Sequence, residues 1–337
     1  MKTIALTIGD PNGIGPEIAV KAAADLRDGH DVRVVLVGDE HVIRHYLERV
    51  TDGARLQAFT GGAPVDKAPA DRAILFHAVD ALPSGAFVPG KIDAAAGRAT
   101  VAYVEAAIGL VHSGDVDAIV GCPHNETAVN AAGIPFSGYP GLIARLTGTP
   151  EDKVFMMLVG GGLRILHATL HERIFDALAR LTPELIVEAG LACASTLKRL
   201  GIANPRIGIF GINPHAGENG LFGDDDDHIT TPAVARLREA GIAAEGPVGA
   251  DIILARKDID GFVAIYHDQG HIPVKLLAGR NASALSVGAG VLFSSVGHGS
   301  AFDIAGQCKA DHGAVIRTLR LIGNVPADRA STPAGAA

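Results

Sequence analysis

Cysteine is scarce in this sequence of 337 residues, and its positions fit no disulfide or zinc motif. The three cysteines are Cys122, Cys193 and Cys308, which are widely spaced and odd in number. They form neither a CxxC motif nor the paired framework of a small secreted protein. We therefore expect a protein of the reducing cytoplasm.

Long hydrophobic runs are also missing. The first apolar stretch lies in MKTIALTIGDPNGIG and is interrupted at Gly9 and Asp10, which makes it too short for a signal peptide. No uninterrupted apolar run approaches the roughly 18 residues that a membrane-spanning helix requires. We expect neither a signal peptide nor a membrane helix.

Positive charge is in deficit. Lys and Arg number 29 against 37 Asp and Glu, a net charge of −8, which disfavours non-specific binding to nucleic acid or to anionic membranes. Hydrophobic residues make up 48% and charged residues 20%, so the chain has ample material for a packed core. At roughly 150 residues per domain, the length predicts about two domains.

Short apolar runs rich in Val and Ile alternate with longer amphipathic stretches. Runs without polar alternation are typical of strands buried on both faces, and their alternation with helices predicts an α/β fold with mostly parallel sheets. The predicted strands are Thr3–Ile8, Val32–Val37, Arg72–Phe76, Ala118–Val120, Val154–Val159, Arg164–Ala168, Arg206–Phe210, Phe262–Ile265 and Ser283–Val287. The predicted helices are Pro16–Leu26, Ile92–Val111, Thr182–Leu200 and Pro232–Ala240. We expect the chain to cross between domains within Asn130–Tyr139.

The motifs of several enzyme classes are absent, since the chain has no GxSxG, no P-loop and no GxGxxG fingerprint. Two glycine-rich segments leave alternatives open. GDPNGIGPE at Gly9–Glu17 is either an anion cradle at a helix N-terminus or a tight turn. GHGSA at Gly297–Ala301 either lets a ligand approach the backbone or starts a helix. The run Asp224–Asp227 lacks the spacing of a calcium loop, so we expect a solvated loop.

Histidines follow the predicted strands unusually often. Ligands of parallel α/β proteins bind beyond the carboxyl ends of strands, and six of the fourteen histidines fall there: His124, His171, His215, His267, His271 and His298. Three of these have a carboxylate close by in the sequence, namely His171, His215 and His267. This composition favours a divalent metal site assembled by the fold, whereas a satisfied loop residue is the alternative for any single histidine.

Seven motifs stand in one order: GDPNGIGPE (Gly9–Glu17), AGIPFSG (Ala132–Gly138), TLHE (Thr169–Glu172), GINPHAGE (Gly211–Glu218), GPVGAD (Gly246–Asp251), YHDQGHIPVK (Tyr266–Lys275) and SSVGHGSAFDIAG (Ser294–Gly306). Together they resemble the 4-hydroxythreonine-4-phosphate dehydrogenase family from the start of the chain to about residue 322. The resemblance implies a homodimer of two α/β/α domains, similar to isocitrate and isopropylmalate dehydrogenases. It places the active site in the interdomain cleft, completed by the partner chain.

The resemblance also implies domain borders and cofactors. We expect a first domain over residues 1–132 and about 300–325, a second over 133–299, and a frayed tail over 327–337. NAD would bind without a Rossmann fingerprint, with Gly297, His298 and Gly299 as the expected contacts. One divalent metal, zinc in the first place and otherwise Mg, Mn, Co or Fe, would be held by the residues matching the family's ligands. These are His171, His215 and His267, the last donated across the dimer interface.

Departures from the family's pattern concern the substrate. Tyr139 and Pro140 replace a His-Thr pair, while Ala284 and Phe293 replace a substrate-contacting Asn and Arg. Asn125 stands in place of a lysine, whereas Lys275, another substrate contact, is kept. Loss of the arginine removes a bidentate anion binder. Tyr139, Pro140, Lys275 and Phe293 are therefore the expected substrate contacts.

With these departures the chain resembles the branch of the family that oxidises terephthalate dihydrodiol. That resemblance implies NAD-linked oxidative decarboxylation of a dicarboxylate diol to protocatechuate and CO2, with Asp251 or Lys275 assisting removal of the alcohol proton. Alternatives within the family are 4-hydroxythreonine-4-phosphate or another hydroxyacid as substrate. Outside it, metal-assisted hydrolysis and a non-enzymatic solute-binding module are the competing interpretations.

Overall fold

The computed structural model describes residues 1–27, 29, 31–61, 73–297 and 299–324. His298, Arg72 and the tail that we expect to fray lie outside the described residues. The chain divides into two compact units, Met1–Tyr139 with Phe293–Ala337 (unit 1) and Pro140–Leu292 (unit 2). Both borders differ by seven residues from those expected at 132/133 and 299/300.

Unit 1 contains a parallel sheet in the order β3-β4-β2-β1-β5-β12. Its strands are β1 (Lys2–Thr7), β2 (Val32–Gly38), β3 (Arg55–Ala58), β4 (Ala73–Ala78), β5 (Ala118–Gly121) and β12 (Phe293–Ser295). The central strands β1, β2 and β5 are almost entirely buried. Their runs of Val, Ile and Leu are typical of a parallel sheet covered on both faces.

The helices of unit 1 are α1 (Gly15–Leu26), α2 (Glu40–Val50), α3 (Ala94–His112), α4 (Glu126–Ala131) and α11 (Gly313–Gly323), while α5 (Tyr139–Thr147) begins at the unit border. Of these helices, α1, α3 and α11 pack on this sheet, while α2 packs on α1 and α4 on α3. By length and composition α3 is apolar enough to cross a membrane, although half of it is buried. It packs against β1, β2 and β5, and Asp93 caps its N-terminus by accepting from the Ala95 amide. It is a core helix of unit 1.

Unit 2 contains a mixed sheet in the order β11-β6-β7-β10-β8-β9. Its strands are β6 (Phe155–Gly160), β7 (Leu163–His167), β8 (Arg206–Phe210), β9 (Ala243–Val248), β10 (Gly261–Ala264) and β11 (Ser283–Val287). The pairs β11·β6 and β6·β7 are antiparallel, whereas β7, β10, β8 and β9 run parallel. The fold is therefore mixed α/β with mostly parallel strands.

Five helices complete unit 2 with the body of α5. They are α6 (Ile174–Ala179), α7 (Pro183–Arg199), α8 (Thr231–Glu239), α9 (Ala250–Ile253) and α10 (His267–Ala278). Shorter turns of helix lie at Ser84–Ala86, Glu151–Lys153, Pro214–Gly217, Asp226–Thr230 and Gly279–Asn281. The predicted start of α7 is confirmed, because the Thr182 hydroxyl accepts a hydrogen bond from the Leu185 amide at 3.2 Å.

Two expectations about loops are settled here. The GHGSA segment does not start a helix, because the described residues between Ser295 and Gly313 form bends and turns. The acidic run is only partly a solvated loop. Asp224, Asp225 and Asp227 are exposed, whereas Asp226 is only 1% exposed. Its carboxylate accepts hydrogen bonds from the Ile212 and Asn213 amides and the Thr230 hydroxyl.

Candidate active site

The three histidines expected to bind metal lie on segments that follow adjacent strands of unit 2. His171 is four residues beyond β7, His267 begins α10 just after β10, and His215 lies in the loop after β8. These strands are neighbours in the order β7-β10-β8 and run parallel. Their carboxyl ends therefore lie at one edge of the sheet, the usual position of a ligand site in such folds.

His171 and His267 lie close together in the same chain. Their ring centroids are 5.5 Å apart, and both line a cavity of about 780 Å³. The other lining residues come from the segments after β7 and β10: Thr169, Leu170, Glu172, Arg173, Ile174, Ala177, Tyr266 and Asp268. The cavity is large enough for a small organic acid.

The contact between His267 and Asp268 fits the environment of a metal ligand. Nδ1 of His267 lies 2.7 Å from Oδ1 of Asp268. In the neutral ring this nitrogen donates its proton to the carboxylate, which leaves the Nε2 lone pair for an electrophile. A carboxylate that orients an imidazole in this way is typical of histidines that bind zinc.

Two further histidines, His167 and His271, extend the cluster. Nδ1 of His167 donates to the carbonyl oxygen of Met156 at 3.1 Å, so its Nε2 accepts from Nδ1 of His271 at 3.0 Å. The ring of His271 stacks on that of His267 with centroids 3.6 Å apart. Sequence reasoning left His167 inside a strand without a role, and only the pairing of β7 with α10 reveals its partner.

These inner histidines are neutral near pH 7. Burial, with the neighbouring His271, lowers the pKa of His167 to about 3. Burial, with the neighbouring His267, lowers the pKa of His271 to about 4. His167 and His271 therefore offer imidazole nitrogens rather than imidazolium ions. In the part of the chain that the structure describes, however, no three His, Cys, Asp or Glu residues are already arranged to hold a metal.

The two residues expected to assist proton removal also lie in unit 2. Lys275 is exposed on α10, eight residues after His267 and four after His271, so the three share one helix face. Asp251 is exposed in the first turn of α9, which follows β9. Since β9 pairs with β8 in parallel, Asp251 extends the same edge of the sheet.

Tyr139 and Phe293, two expected substrate contacts, are packed inside unit 1. Phe293 is fully buried and Tyr139 is 5% exposed, with ring centroids 4.5 Å apart. The Tyr139 ring also contacts His124 at 4.5 Å, and its hydroxyl donates to the Cys122 carbonyl at 3.3 Å. Stacking of a substrate on either ring therefore requires these side chains to become accessible. Pro140, the first residue of unit 2, is half-buried.

The glycine-rich segments of unit 1 meet at a second sheet edge. GDPNGIG follows β1, the His124 segment follows β5 and GHGSA follows β12, and these strands are adjacent and parallel. The Ile14 amide donates to the Ser300 carbonyl at 2.9 Å, and the Ser300 hydroxyl donates to the His124 carbonyl at 2.6 Å. Gly297 and Gly299 are exposed beside this contact.

The loop after β1 is a tight turn. Gly9 has a φ of +70°, and a Cβ atom there would lie 2.3 Å from the Pro123 carbonyl oxygen. Two buried carboxylates lie here, Asp10 within the loop and Glu17 in the first turn of α1. Asn125, which stands where the family has a lysine, has a structural role. Its side chain caps α4 by accepting from the Ala128 amide.

The sequence profile described as "PdxA: Pyridoxal phosphate biosynthetic protein PdxA" matches residues 30–322. The chain belongs to the PdxA family. Among PdxA-family relatives, a 1,2-dihydroxy-3,5-cyclohexadiene-1,4-dicarboxylate dehydrogenase of Comamonas sp is 46% identical over 325 residues, 96% of this chain and 98% of the relative. A D-threonate 4-phosphate dehydrogenase of Cupriavidus necator is 40% identical over 329 residues, 95% and 96% of the two chains.

Solved structures of PdxA-family proteins show the same fold. The crystal structure of a terephthalate 1,2-cis-dihydrodiol dehydrogenase from Burkholderia xenovorans LB400 is 52% identical, with a TM-score of 0.79 over 96% of this chain and 98% of that chain. The resemblance drawn from the seven motifs is confirmed, and the named relatives are dehydrogenases.

Proposed function

We propose that this PdxA-family protein oxidises a cis-dihydrodiol carboxylate, namely terephthalate 1,2-cis-dihydrodiol, with NAD to give protocatechuate, CO2 and NADH. The observation that carries this assignment is the identity of 46% and 52% to two relatives named for this substrate class. The relative named for a phosphorylated hydroxyacid is 40% identical.

The chemistry of the substrate explains the coupled steps. Hydride leaves the carbinol carbon next to the carboxylate-bearing carbon and reduces NAD, while the hydroxyl proton passes to a base. The resulting β-keto acid loses CO2, and the electron pair released from the broken C–C bond restores the aromatic ring. Loss of CO2 leaves a phenolate, which takes up the proton released in the first step, so the dicarboxylate diol and NAD⁺ give protocatechuate, CO2 and NADH with no net proton. The second step is driven strongly forward by aromaticity.

His171, His215 and His267 are the residues that would hold the divalent metal, zinc or otherwise Mg, Mn, Co or Fe. When bound, the metal supplies Lewis-acid chemistry at the alcohol and carbonyl oxygens. The contact between the rings of His171 and His267 and the His267–Asp268 contact support two members of this set, whereas His215 is included because it matches the family's third ligand. Lys275, on the same helix face, would pair with a ring carboxylate, and either Asp251 or Lys275 would accept the hydroxyl proton.

The cofactor is assigned to unit 1. NAD would lie against the exposed Gly297 and Gly299 with His298 between them, beside the contact of Ile14 with Ser300. Two glycines without side chains allow a dinucleotide to approach the backbone closely. This site needs no GxGxxG fingerprint, in agreement with its absence.

A homodimer in a cytoplasmic protein completes the proposal. Large apolar side chains are exposed on the segments of unit 2 that follow β7, β8 and β9: Phe175, Leu221 and Ile252. Such a concentration of exposed apolar residues is typical of a surface covered by a second protein. A second copy of the chain covering this face would place partner residues near the site.

The test is a screen of the purified protein for NADH absorbance at 340 nm, with each candidate metal and after chelation. Terephthalate dihydrodiol should give NADH, protocatechuate and CO2 in equal amounts, and 4-hydroxythreonine-4-phosphate and D-threonate 4-phosphate should give little. His171→Ala should abolish turnover, whereas the control His228→Ala at an exposed histidine should not. Full activity without metal, or product without NADH, would refute the assignment.

A further inference from the structure

Six consecutive residues in the segment that carries His215 have positive φ. The angles are 54° at His215, 53° at Ala216, 85° at Gly217, 46° at Glu218, 54° at Asn219 and 88° at Gly220. Four of the six carry side chains, for which this left-handed region is unfavourable. A strained segment of this kind persists only when the surrounding structure holds it.

Asp226 holds the start of this segment. Its Oδ1 accepts from the Ile212 amide at 2.9 Å and its Oδ2 accepts from the Asn213 amide at 2.9 Å. The Thr230 hydroxyl donates to Oδ1 at 2.6 Å. Asp226 and Thr230 are buried. The Asp226 carboxylate therefore accepts three hydrogen bonds away from solvent, two of them from successive backbone amides just before Pro214 and His215. Charge-assisted bonds of this type are stronger than neutral ones.

Gln269 ties the same segment to the neighbouring strand. Its Nε2 donates to the Gly211 carbonyl at 3.0 Å and its Oε1 accepts from the Ile265 amide at 2.9 Å. Gly211 directly follows β8 and Ile265 directly follows β10. The side chain therefore fixes the spacing between the segments that lead to His215 and His267.

We propose that Asp226 is a positioning residue that holds His215 in the orientation needed to bind the metal. The inference rests on the proposed role of His215 as a ligand. Within the four-aspartate run, Asp226 is the residue whose carboxylate accepts from the backbone amides of this segment. A merely structural carboxylate would affect the stability of the fold without changing how the metal is bound.

The experiment measures metal binding rather than turnover. Apo protein of the wild type and of Asp226→Asn is titrated with Zn²⁺ against a chromophoric chelator, and the d–d absorption of the Co²⁺ form is recorded. Asp226→Asn keeps the shape but loses the charge, and should weaken binding about 10- to 100-fold with an altered cobalt spectrum. The matched control is Asp227→Asn, an exposed residue of the same run, which should bind as the wild type does.

A double-mutant cycle with His215→Ala separates the two claims. If Asp226 acts through His215, then Asp226→Asn should add little to the loss caused by His215→Ala. Wild-type affinity in His215→Ala would refute the ligand role of His215. Weakened binding in His215→Ala with unchanged affinity and spectrum in Asp226→Asn would overturn the positioning role alone, as would fully additive losses.

A milder variant keeps the inference testable if Asp226→Asn fails to fold. Thr230→Val removes one donor to Oδ1 and retains the carboxylate with its two backbone amides. It should weaken metal binding in the same direction by a smaller factor. Unchanged metal affinity in a folded Thr230→Val, together with an unfolded Asp226→Asn, would assign Asp226 to stability and overturn the proposal.

Discussion

The imidazole rings of His171 and His267 lie 5.5 Å apart within a single chain. The family resemblance, by contrast, assigns His267 of each chain to the site of its partner. Two arrangements therefore compete for the same ligands, one contained in a chain and one shared by a dimer. They make opposite predictions when two inactive variants are mixed.

Subunit exchange between His171→Ala and His267→Ala distinguishes these arrangements. In a shared site, a hybrid dimer combines one intact His171 with one intact His267, so it has one complete site of two. Random pairing makes half of the dimers hybrid, so mixing should restore about a quarter of wild-type activity. Exchange is verified by mass spectrometry of differently tagged chains. No recovery after complete exchange would place both ligands in one chain.

A second prediction concerns Asp10 and pH. Burial, opposed by its bond from the Asn12 amide, raises the pKa of this carboxyl from 3.8 to about 6, and Oδ2 lacks a hydrogen-bond partner. The folded state therefore holds the proton more tightly than the unfolded chain does. The stability that this provides is present below pH 4 and is lost as the pH rises through 6.

Asp10→Asn should remove this dependence. Its free energy of unfolding in urea should exceed that of the wild type by about 1–3 kcal/mol above pH 6.5, because a shift of one pKa unit is worth about 1.4 kcal/mol. The difference should vanish below pH 4. The control Asp80→Asn, at an exposed carboxylate of unit 1, should behave as the wild type. A difference that is constant with pH would contradict the assignment to ionisation.

Strands with a strong apolar pattern could be predicted from the sequence, whereas three strands that are exposed, short or interrupted by glycine and proline could not. Predicted Val32–Val37 and Arg206–Phe210 correspond to β2 and β8, since runs of Val and Ile mark strands buried on both faces. The strands β3, β9 and β12 were missed. β3 (RLQA) is largely exposed, β9 contains Gly246-Pro247, and β12 has three residues, so none shows a distinctive pattern.

The candidate site shows the same division. The sequence could show that the histidines follow apolar strands, because apolar runs and chain order are read directly from it. It therefore predicted that these histidines lie at one edge of the sheet. The pair His167 and His271 is separated by 104 residues, and Asp226 bonds to amides 13 and 14 residues away. Such contacts arise only from the tertiary fold, and an acidic run by itself is typical of a solvated surface.

A third prediction concerns the left-handed backbone of Ala216, in the segment between β8 and α8. Ala216 has a φ of +53°, so Ala216→Gly removes a conformational cost of about 1–2 kcal/mol and adds about 0.5–1 kcal/mol of glycine entropy. The melting temperature should therefore rise by about 1–4 °C. The same substitution in the right-handed helix α8, Ala235→Gly at an exposed position, should lower it, because glycine costs about 1 kcal/mol there. A decrease in both variants, measured by calorimetry, would show that the segment is relaxed.

A fourth prediction concerns Lys275, which is exposed on the helix face of His267 and His271. If Lys275 pairs with a ring carboxylate, Lys275→Met should raise KM for terephthalate dihydrodiol more than KM for a diol with a single carboxyl group. The neighbouring control Leu276→Met, also exposed on α10, should change both alike. Equal effects of Lys275→Met on the two substrates, measured by steady-state kinetics, would exclude a specific pairing.

The last prediction is the preference between substrate classes. The family resemblance places Tyr139-Pro140, Ala284 and Phe293 where other members carry polar contacts to a phosphorylated amino acid, and each lost charge-assisted hydrogen bond is worth roughly 1.5–3 kcal/mol. Two such losses correspond to about 10²- to 10⁴-fold at 1.4 kcal/mol per decade. We expect kcat/KM for the dicarboxylate diol to exceed that for 4-hydroxythreonine-4-phosphate by at least about a hundredfold. Ala284→Asn, at a half-buried position, should narrow this ratio by restoring a polar contact, with Ala284→Leu as the control for the added volume. Comparable kcat/KM values on the two substrates in the wild type would show that the replaced positions do not select the substrate.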